Sequence, residues 1–257
     1  MELYRKVRLA RRGSMSARAA AAHFGISRAS VKKITIFSIP PGYRCTAEVK
    51  RPKLDGGAGN DQLTGGIGDD LYVVDDLNDQ LVEIAGQGVD TVKSSVTWTF
   101  LAEFENLTLT GTSGLAATGN TLANAIVGNS GANAISALDG NDTITGAGGN
   151  DTTTGGLGAD HFLFTNTSSG VDTITDFNEL DGGGEEGDVL EFQGLLVGAF
   201  AYLGTGAFVV SAGHTQARIA GGQVLVDING DAVADITINL TGLTTASQLA
   251  TSDFLFS

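Results

Sequence analysis

The stretch Gly119–Leu163 decides the fold, because it divides into five consecutive units of nine residues: GNTLANAIV, GNSGANAIS, ALDGNDTIT, GAGGNDTTT and GGLGADHFL. In four of these units the fourth residue is glycine, and in all five the sixth is Asn or Asp. The eighth residue is large and apolar in every unit except the one where Thr153 stands. Two earlier units keep the same phase, GGAGNDQLT from Gly56 and GGIGDDLYV from Gly65. A period of nine in two blocks predicts a repeating structure rather than a flexible glycine-rich linker.

Each nine-residue unit combines a tight loop with a short strand. Glycines at positions 1, 2 and 4 are expected to adopt positive φ, which residues with a Cβ adopt only with strain. Such a loop turns its carbonyl oxygens towards one point, where the Asp at position 6 adds a carboxylate. Hard oxygen donors of this kind suit Ca²⁺. The last three residues then form a strand whose one large apolar side chain points inward.

The repeat resembles the RTX calcium-binding nonapeptide, which implies that two units make one turn of a solenoid, so loops eighteen residues apart are expected to stack on the same side. The spacing predicts pairs of side chains that share an ion: Asp142 with Asp160, Asn133 with Asp151, and Asp61 with Asp79. The complete set of predicted metal ligands is Asp61, Asp70, Asp79, Asp90, Asn133, Asp142, Asp151 and Asp160. Ordering nine backbone residues costs more free energy than one buried Ile or Leu returns, and the acids repel each other. Calcium is therefore expected to be needed for folding.

The unit G-G-x-G-x-D-x-U-x, in which U is a large apolar residue, resembles the hemolysin-type (RTX) calcium-binding repeat of secreted bacterial proteins. The resemblance implies an all-β fold, a right-handed parallel β-roll or β-helix solenoid, with Ca²⁺ as cofactor and an extracellular location. On this basis the chain divides into a first repeat block (54–93), solenoid rungs without metal loops (94–118), a second repeat block (119–176) and a β-rich C-terminal cap (177–257).

The C-terminal part also resembles that of serralysin-type secreted proteins, on VLVDINGDAVADITINLTG and the terminal SDFLFS. This resemblance implies an uncleaved type I secretion signal, an acid followed by apolar residues, that an ABC exporter recognises; the acid here is Asp253. The longest apolar run near the start is Ala19–Ala22, so neither an N-terminal signal peptide nor a membrane span is expected.

A further candidate calcium loop lies in the cap. Its oxygen-bearing residues stand at places 1, 3, 5 and 9, as in linear calcium loops: Asp227, Asn229, Asp231 and Asp235. However, Gly230 comes one place early, and Asn239 stands where a bidentate Glu is required. A β-turn stabilised by hydrogen bonds from Asn and Asp side chains is the alternative.

Residues 1–53 differ sharply in charge from the rest of the chain. They hold 13 of the 15 Lys and Arg against two acids, whereas residues 54–257 hold two Lys and Arg against 27 acids. The spacing Ala21–x3–Gly25–x5–Val31 predicts a helix-turn-helix in an α-helical segment. The segment also resembles the start of IstA-type insertion-sequence transposases, on MELYRKVRLA and AAAHFGISRASVKK. The predicted DNA contacts are Arg28, Ser30, Lys32 and Lys33, and because the acidic body repels phosphates we expect weak or no nucleic-acid binding.

Nothing in the sequence assembles a catalytic site. None of the three histidines stands in H-E-x-x-H, no G-x-S-x-G occurs, and the single cysteine excludes an internal disulfide. The predicted function is that of a non-catalytic, secreted calcium-binding module whose extracellular partner is unknown. The alternatives are a DNA-binding protein acting through the helix-turn-helix, and the C-terminal remnant of a larger secreted hydrolase.

Overall fold

The computed structural model describes residues 53–167, 169–177, 187–210, 213–241 and 249–257. These residues form β-strands and one short 3-10 helix (Thr251–Asp253). In chain order the strands are β1 (Lys53–Asp55), β2 (Gln62–Thr64), β3 (Leu71–Val74), β4 (Gln80–Val82), β5 (Thr91–Ser94), β6 (Trp98–Thr99), β7 (Asn106–Leu109), β8 (Ala116–Thr118), β9 (Ala125–Val127), β10 (Ala134–Asp139), β11 (Thr143–Thr145), β12 (Thr152–Leu157), β13 (His161–Phe164), β14 (Val171–Ile174), β15 (Val189–Phe192), β16 (Ala199–Tyr202), β17 (His214–Ala220), β18 (Gln223–Asp227), β19 (Ile236–Leu240) and β20 (Phe254–Phe256). The predicted helix-turn-helix lies outside the described residues.

Successive strands alternate between two walls. One wall is a nine-stranded sheet in the order β1-β3-β5-β7-β9-β11-β13-β15-β20. The other consists of the pair β2-β4 and a second nine-stranded sheet in the order β6-β8-β10-β12-β14-β19-β18-β17-β16. Each pair of strands with their loops thus makes one turn, and about eight turns stack into a parallel β-solenoid. This architecture confirms the predicted all-β solenoid.

The strand register follows the nine-residue period. Gln62 pairs with Gln80 and Thr143 with His161, so each residue lies beside the one eighteen positions later. The interval is longer between β3 and β5 and shorter between β5 and β7, where the sequence lost its regular phase. Loops absorb these differences, because the strands keep their inward and outward alternation across every pair.

The core is a stack of position-8 side chains. In the first wall a column of apolar residues lies at matched register, and each is at most 2 % exposed: Leu107, Ile126, Ile144, Phe162 and Leu190. Each such burial stabilises the fold by about 1.5–3 kcal/mol. The side chains on either side in the strands are more exposed, as on β5 and β7. The apolar stack therefore holds the walls together and leaves the loops at the two edges.

The C-terminal cap continues both walls. β14 pairs in parallel with β19, which joins the antiparallel strands β18 and β17. β20 pairs in parallel with β15 and ends the first wall. Phe192 stacks between Phe164 and Phe256, at centroid distances of 5.3 and 5.2 Å, and Phe254 packs against Phe200 at 5.3 Å. The stretch that resembles an export signal is thus also a packed strand of the fold.

Candidate metal centres

The position-6 side chains form two columns, one along each edge where the loops stack. Their members are Asp70, Asp90, Glu105, Asn124, Asp142, Asp160 and Asp188 on one edge, and Asp61 with Asp79, then Asn133, Asp151 and Asp172, on the other. In most steps, a side-chain oxygen accepts the backbone N–H of the position-6 residue one turn earlier, at 2.6 to 3.0 Å. This contact uses one oxygen of each carboxylate.

The second oxygen has no partner in four of these aspartates. The Oδ2 atoms concerned are buried and accept no hydrogen bond from the described residues; they belong to Asp70, Asp142, Asp151 and Asp160. A buried carboxylate oxygen without a donor carries a large desolvation cost unless a cation is bound. Oxygen atoms are also the donors that Ca²⁺ takes from proteins. The residues present therefore fit calcium, which would neutralise these oxygens.

The glycine at position 1 provides the space for this carboxylate. A Cβ on Gly146 would overlap the carboxylate of Asp151, and a Cβ on Gly155 would overlap that of Asp160. Neither glycine has a positive φ, so the expectation of left-handed backbone at position 1 is wrong. Positive φ occurs at positions 2 and 4 instead, as at Gly156 and Gly158, with φ of 108° and 133°. These two loops need glycine at position 1 because a side chain there would occupy the place of the ligand atoms.

Burial also changes the acidity of these side chains. Loss of hydration raises the pKa of Asp142 and of Asp151 to about 6. Loss of hydration, strengthened by neighbouring carboxylates, raises the pKa of Asp70 and of Asp160 to about 7. The charged forms are therefore disfavoured in the metal-free fold, and a bound cation would favour them.

The predicted pair Asp61 and Asp79 is more open to solvent. Asp79 Oδ1 accepts the backbone N–H of Asp61 at 2.9 Å, in agreement with stacking at eighteen residues. Asp79 Oδ2 lies 3.4 Å from the backbone nitrogen of Asp76, and Asp61 is half-buried. A Cβ on Gly56 would overlap the Asp61 carboxylate, so the space at position 1 is kept here too.

The first loop of the second repeat block is joined to the loop one turn earlier by amides rather than carboxylates. Asn120 Nδ2 donates to the carbonyl oxygens of Leu101 and Phe104, at 2.8 and 2.7 Å. Asn124 Nδ2 donates to the Phe104 oxygen at 3.1 Å, and Asn124 Oδ1 accepts the backbone N–H of Asn120 at 2.9 Å. These amides satisfy the carbonyls of the preceding turn, and so join the two loops by hydrogen bonds alone.

The opposite edge has the same arrangement one half-turn later. Asn129 Nδ2 donates to the oxygens of Thr110 and Ser113, at 3.1 and 2.9 Å. Asn133 Nδ2 lies 3.5 Å from the Leu115 oxygen, and Asn133 Oδ1 accepts the Asn129 N–H at 2.9 Å. The role of Asn133 as a metal ligand stays a prediction, and its amide already bonds the turns together.

Spacing alone missed three acids that extend the columns. Glu105, Asp172 and Asp188 follow the acids that they contact by 15, 21 and 28 residues, rather than by eighteen. Asp172 lies in GVDTITDF, whose G-x-D-x-U pattern was a detectable signal. Glu105 and Asp188 lacked such a signal, because the loops before them differ in length from the repeat.

In the cap, the candidate loop at Asp227 holds its own backbone. Asp227 accepts the N–H groups of Gly230 and Ala232, at 2.7 and 2.9 Å, and Asp235 Oδ2 accepts that of Ile228 at 2.7 Å. The Oδ1 atoms of Asn229 and Asp231 likewise accept N–H groups two residues further on. These are the contacts of the turn that the sequence left open as the alternative, and calcium binding here stays a prediction. The predicted DNA-contacting residues, Arg28, Ser30, Lys32 and Lys33, lie outside the described residues.

Comparison with known proteins agrees with this geometry. A family model of the RTX calcium-binding nonapeptide repeat matches four copies, in residues 53–81 and 127–162. The chain is also 42 % identical over 85 residues to endo-1,3-1,4-beta-glycanase ExsH of Rhizobium meliloti (strain 1021). That match covers 29 % of this chain and 18 % of the glycanase, so the chain spans less than a fifth of the relative's length. The repeats are thus RTX calcium-binding nonapeptides, and Ca²⁺ is their cofactor.

The described residues contain no helix that is long and apolar enough to cross a membrane.

Proposed function

We propose that this protein is a non-catalytic extracellular module whose β-roll folds when calcium binds after export. The observation that carries the proposal is the set of buried Oδ2 atoms without partners in the glycine loops. Each would face a cation rather than water, and in the loops of Asp70, Asp151 and Asp160 a glycine at position 1 keeps the adjoining space clear. Asp142 with Asp160, and Asp151 with its neighbouring turns, would hold the ions of the second block.

Metal binding supplies the free energy that the metal-free roll lacks. Residues 54–257 carry 27 acids against two Lys and Arg, so the body repels itself without cations. Ions at about 100 times their dissociation constant would stabilise the fold by about 2.7 kcal/mol for each independent site. Extracellular calcium modules bind at about 10⁻⁴–10⁻³ M, which keeps such a chain unfolded where calcium is scarce.

A non-catalytic role is supported by the contacts among His161, Glu191 and Ser257, which are the side-chain types of a catalytic triad. His161 Nδ1 and the Ser257 hydroxyl both contact Glu191, at 3.0 and 2.7 Å, and His161 is not the partner of the hydroxyl in these contacts. In a Ser-His-acid triad the histidine contacts the serine hydroxyl as its base, which these contacts do not provide. These three residues therefore connect β13, β15 and the last strand rather than form a nucleophile.

The test is a calcium titration of the full chain followed by circular dichroism in the far ultraviolet. The β signal should increase with calcium and be abolished by excess chelator. Asp142→Ala or Asp160→Ala should raise the calcium midpoint more than Asn124→Ala does, since Asn124 already bonds the preceding turn through its amide. A fully β-structured, heat-resistant body in excess chelator would refute the proposal.

Export belongs to the same proposal, through a type I ABC exporter that would recognise the terminal SDFLFS. Deleting this stretch would also remove β20, so a point variant is the sharper test. In Asp253→Asn with Leu255→Ala, Phe254 and Phe256 keep their packing, because Leu255 is 40 % exposed. Secretion through a co-expressed exporter should fall while the calcium titration stays unchanged. Export at the full rate would contradict the C-terminal signal.

The match to a β-glycanase favours a second function, that of a module in a larger hydrolase. The chain shares 42 % identity over 85 residues with a β-glycanase, which suggests a repeat module that accompanies a secreted polysaccharide hydrolase. The chain would then contribute calcium-dependent folding to a larger protein rather than catalysis. Hydrolysis of mixed-linkage β-glucan by the purified full chain would contradict the non-catalytic role under both functions.

A further inference from the structure

One acidic cluster of the first block departs from the nonapeptide pattern. Carboxylate oxygens of Asp70, Glu83 and Asp90 all lie within 4.8 Å of one another. Asp70 and Asp90 are position-6 residues of successive turns, and Asp90 Oδ1 accepts the Asp70 N–H at 2.8 Å. Glu83 stands eighteen residues after Gly65, at the place of the first glycine in a repeat. A third carboxylate thus enters the loop at a place where the repeat pattern has glycine.

The arrangement of Glu83 is defined by its hydrogen bonds. Its Oε2 accepts the backbone N–H of Gly66 at 3.1 Å, and its Oε1 accepts the hydroxyl of Tyr72. The Tyr72 oxygen in turn accepts the N–H of Gly65 at 2.7 Å. Glu83 is therefore held against the preceding turn, and its carboxylate does not extend into solvent.

The oxygens of three side chains converge on one spot beside Gly65. A Cβ placed on Gly65 would collide with Glu83 Oε1, the Tyr72 hydroxyl and Asp70 Oδ2. Asp70 is 3 % exposed, and its Oδ2 is buried without a hydrogen-bond partner. No Lys, Arg or His in the described segments forms an ion pair with these three carboxylates. One of the converging oxygens, Asp70 Oδ2, is buried and lacks a partner, which distinguishes this cluster from a group of surface acids.

We infer that Asp70, Glu83 and Asp90 form a calcium site of a different composition from the glycine-loop sites, in which a glutamate side chain replaces the first glycine. The inference extends the proposed calcium-dependent folding. Calcium affinity rises with the number of charged ligands and with the rigidity of the site. The Tyr72 and Gly66 contacts restrain Glu83, so this site should fill at lower calcium concentration than the sites of the second block.

The experiment uses terbium, which replaces calcium at oxygen sites and emits when a nearby aromatic ring is excited. Terbium is titrated into the full-length wild-type chain and into Tyr72→Phe. The difference in emission between the two comes from the ion beside Tyr72. Glu83→Gln should raise the midpoint of this signal about tenfold or more. Glu103→Gln, a matched change two residues before Glu105, should leave the midpoint unchanged. Far-ultraviolet circular dichroism at saturating calcium verifies that each variant folds.

Asp90→Asn keeps an oxygen for the Asp70 N–H and provides a second variant if Glu83→Gln fails to fold. It should also weaken the Tyr72-dependent signal about tenfold or more. The site is refuted if Tyr72→Phe loses no emission, or if folded Glu83→Gln keeps the wild-type midpoint. Either result with an intact calcium-induced β signal refutes this site alone. A chain without any calcium-induced signal would refute the proposed function as well.

Discussion

At the scale of single residues, the glycine at position 1 of several loops is required for space, as at Gly146 and Gly155. The Cβ of an alanine at Gly146 would lie within 2.9 Å of Asp151 Cβ and closer to its carboxylate. The backbone at Gly146 does not have a positive φ, so the restriction does not come from strain. Two glycines of one loop should therefore differ strongly in their tolerance of alanine.

Gly146→Ala should remove the ion held by Asp151 and destabilise the calcium-bound fold by about 1–3 kcal/mol, because the added methyl displaces the ligand. Gly148→Ala is the matched control, since its Cβ would meet only Ser130, at an ordinary 3.6 Å. Calcium stoichiometry by equilibrium dialysis and thermal unfolding measure both effects. Equal behaviour of the two variants would contradict the steric role of position 1.

The raised pKa values predict that the metal-free fold becomes less stable as the pH rises. The folded pKa values of about 6 for Asp142 and about 7 for Asp160 exceed the ordinary value of 3.8. Their protonation therefore favours the fold, and this stability is fully present below pH 3.8 and is lost as the pH rises through 6 to 7. In chelator, the β signal should be larger at pH 5 than at pH 8.

With calcium present, the fold should instead be less stable at low pH, because protons compete with the ion for the same oxygens. The calcium midpoint should increase as the pH falls through about 6, the pKa to which burial raises Asp142 and Asp151. Asp160→Asn keeps the acceptor for the Asp142 N–H and should reduce the pH dependence in chelator. A metal-free β signal that grows from pH 5 to pH 8 would show that desolvation of these carboxylates does not control folding.

At the scale of elements, the solenoid contains two kinds of turn. A loop with Asp at position 6 can leave an oxygen for a metal, as at Asp151. A loop with Asn at position 6 uses the amide to bond the loop one turn earlier, as at Asn133. The difference follows from chemistry, because an amide supplies donors as well as an acceptor and an ionised carboxylate supplies acceptors only.

Asn129→Ala should lower stability in saturating calcium by about 1–3 kcal/mol, because the Thr110 and Ser113 oxygens lose their donor. The number of bound calcium ions should not change. Asp151→Asn is the contrasting variant, and it should lower that number. Calorimetric titration and thermal unfolding of both variants separate the two roles. Loss of a bound ion in Asn129→Ala would mean that the asparagine turns also coordinate calcium.

At the scale of the whole molecule, the cap and the repeats share continuous walls. β20 extends the wall that begins at β1, and its Phe254 is 6 % exposed and packs against Phe200 and Tyr202. Calcium-dependent folding of the repeats should therefore extend into the cap, since the last strands add to edges that the repeats provide.

Phe254→Ala should destabilise the calcium-bound chain by about 3–5 kcal/mol, because it leaves a cavity among aromatic rings. Leu255→Ala, on the outward side of the same strand, should change stability by no more than about 0.5 kcal/mol. Thermal unfolding in saturating calcium measures the two variants. A separate, unshifted transition for the repeats in Phe254→Ala would indicate that cap and repeats fold independently.

The sequence by itself determined the solenoid, because its nine-residue unit resembles a known repeat with two units per turn, which places Asp142 beside Asp160 and Ile144 beside Phe162. It also determined the choice of calcium, since glycine loops with one acid offer oxygen donors and little else. These properties are local and periodic, so each unit shows them without its neighbours.

Only the tertiary structure decided which oxygens remain without a donor. The same position 6 gives a free Oδ2 in Asp151 and an amide bonded to Leu115 in Asn133. A contact across an irregular loop brought Asp188 to Asp160 without repeat spacing, and stacking at eighteen residues brought Glu83 to Asp70 although the repeat pattern has no acid at that place. Hydrogen-bond satisfaction depends on the loop that stacks one turn away, and insertions change which residues that loop presents.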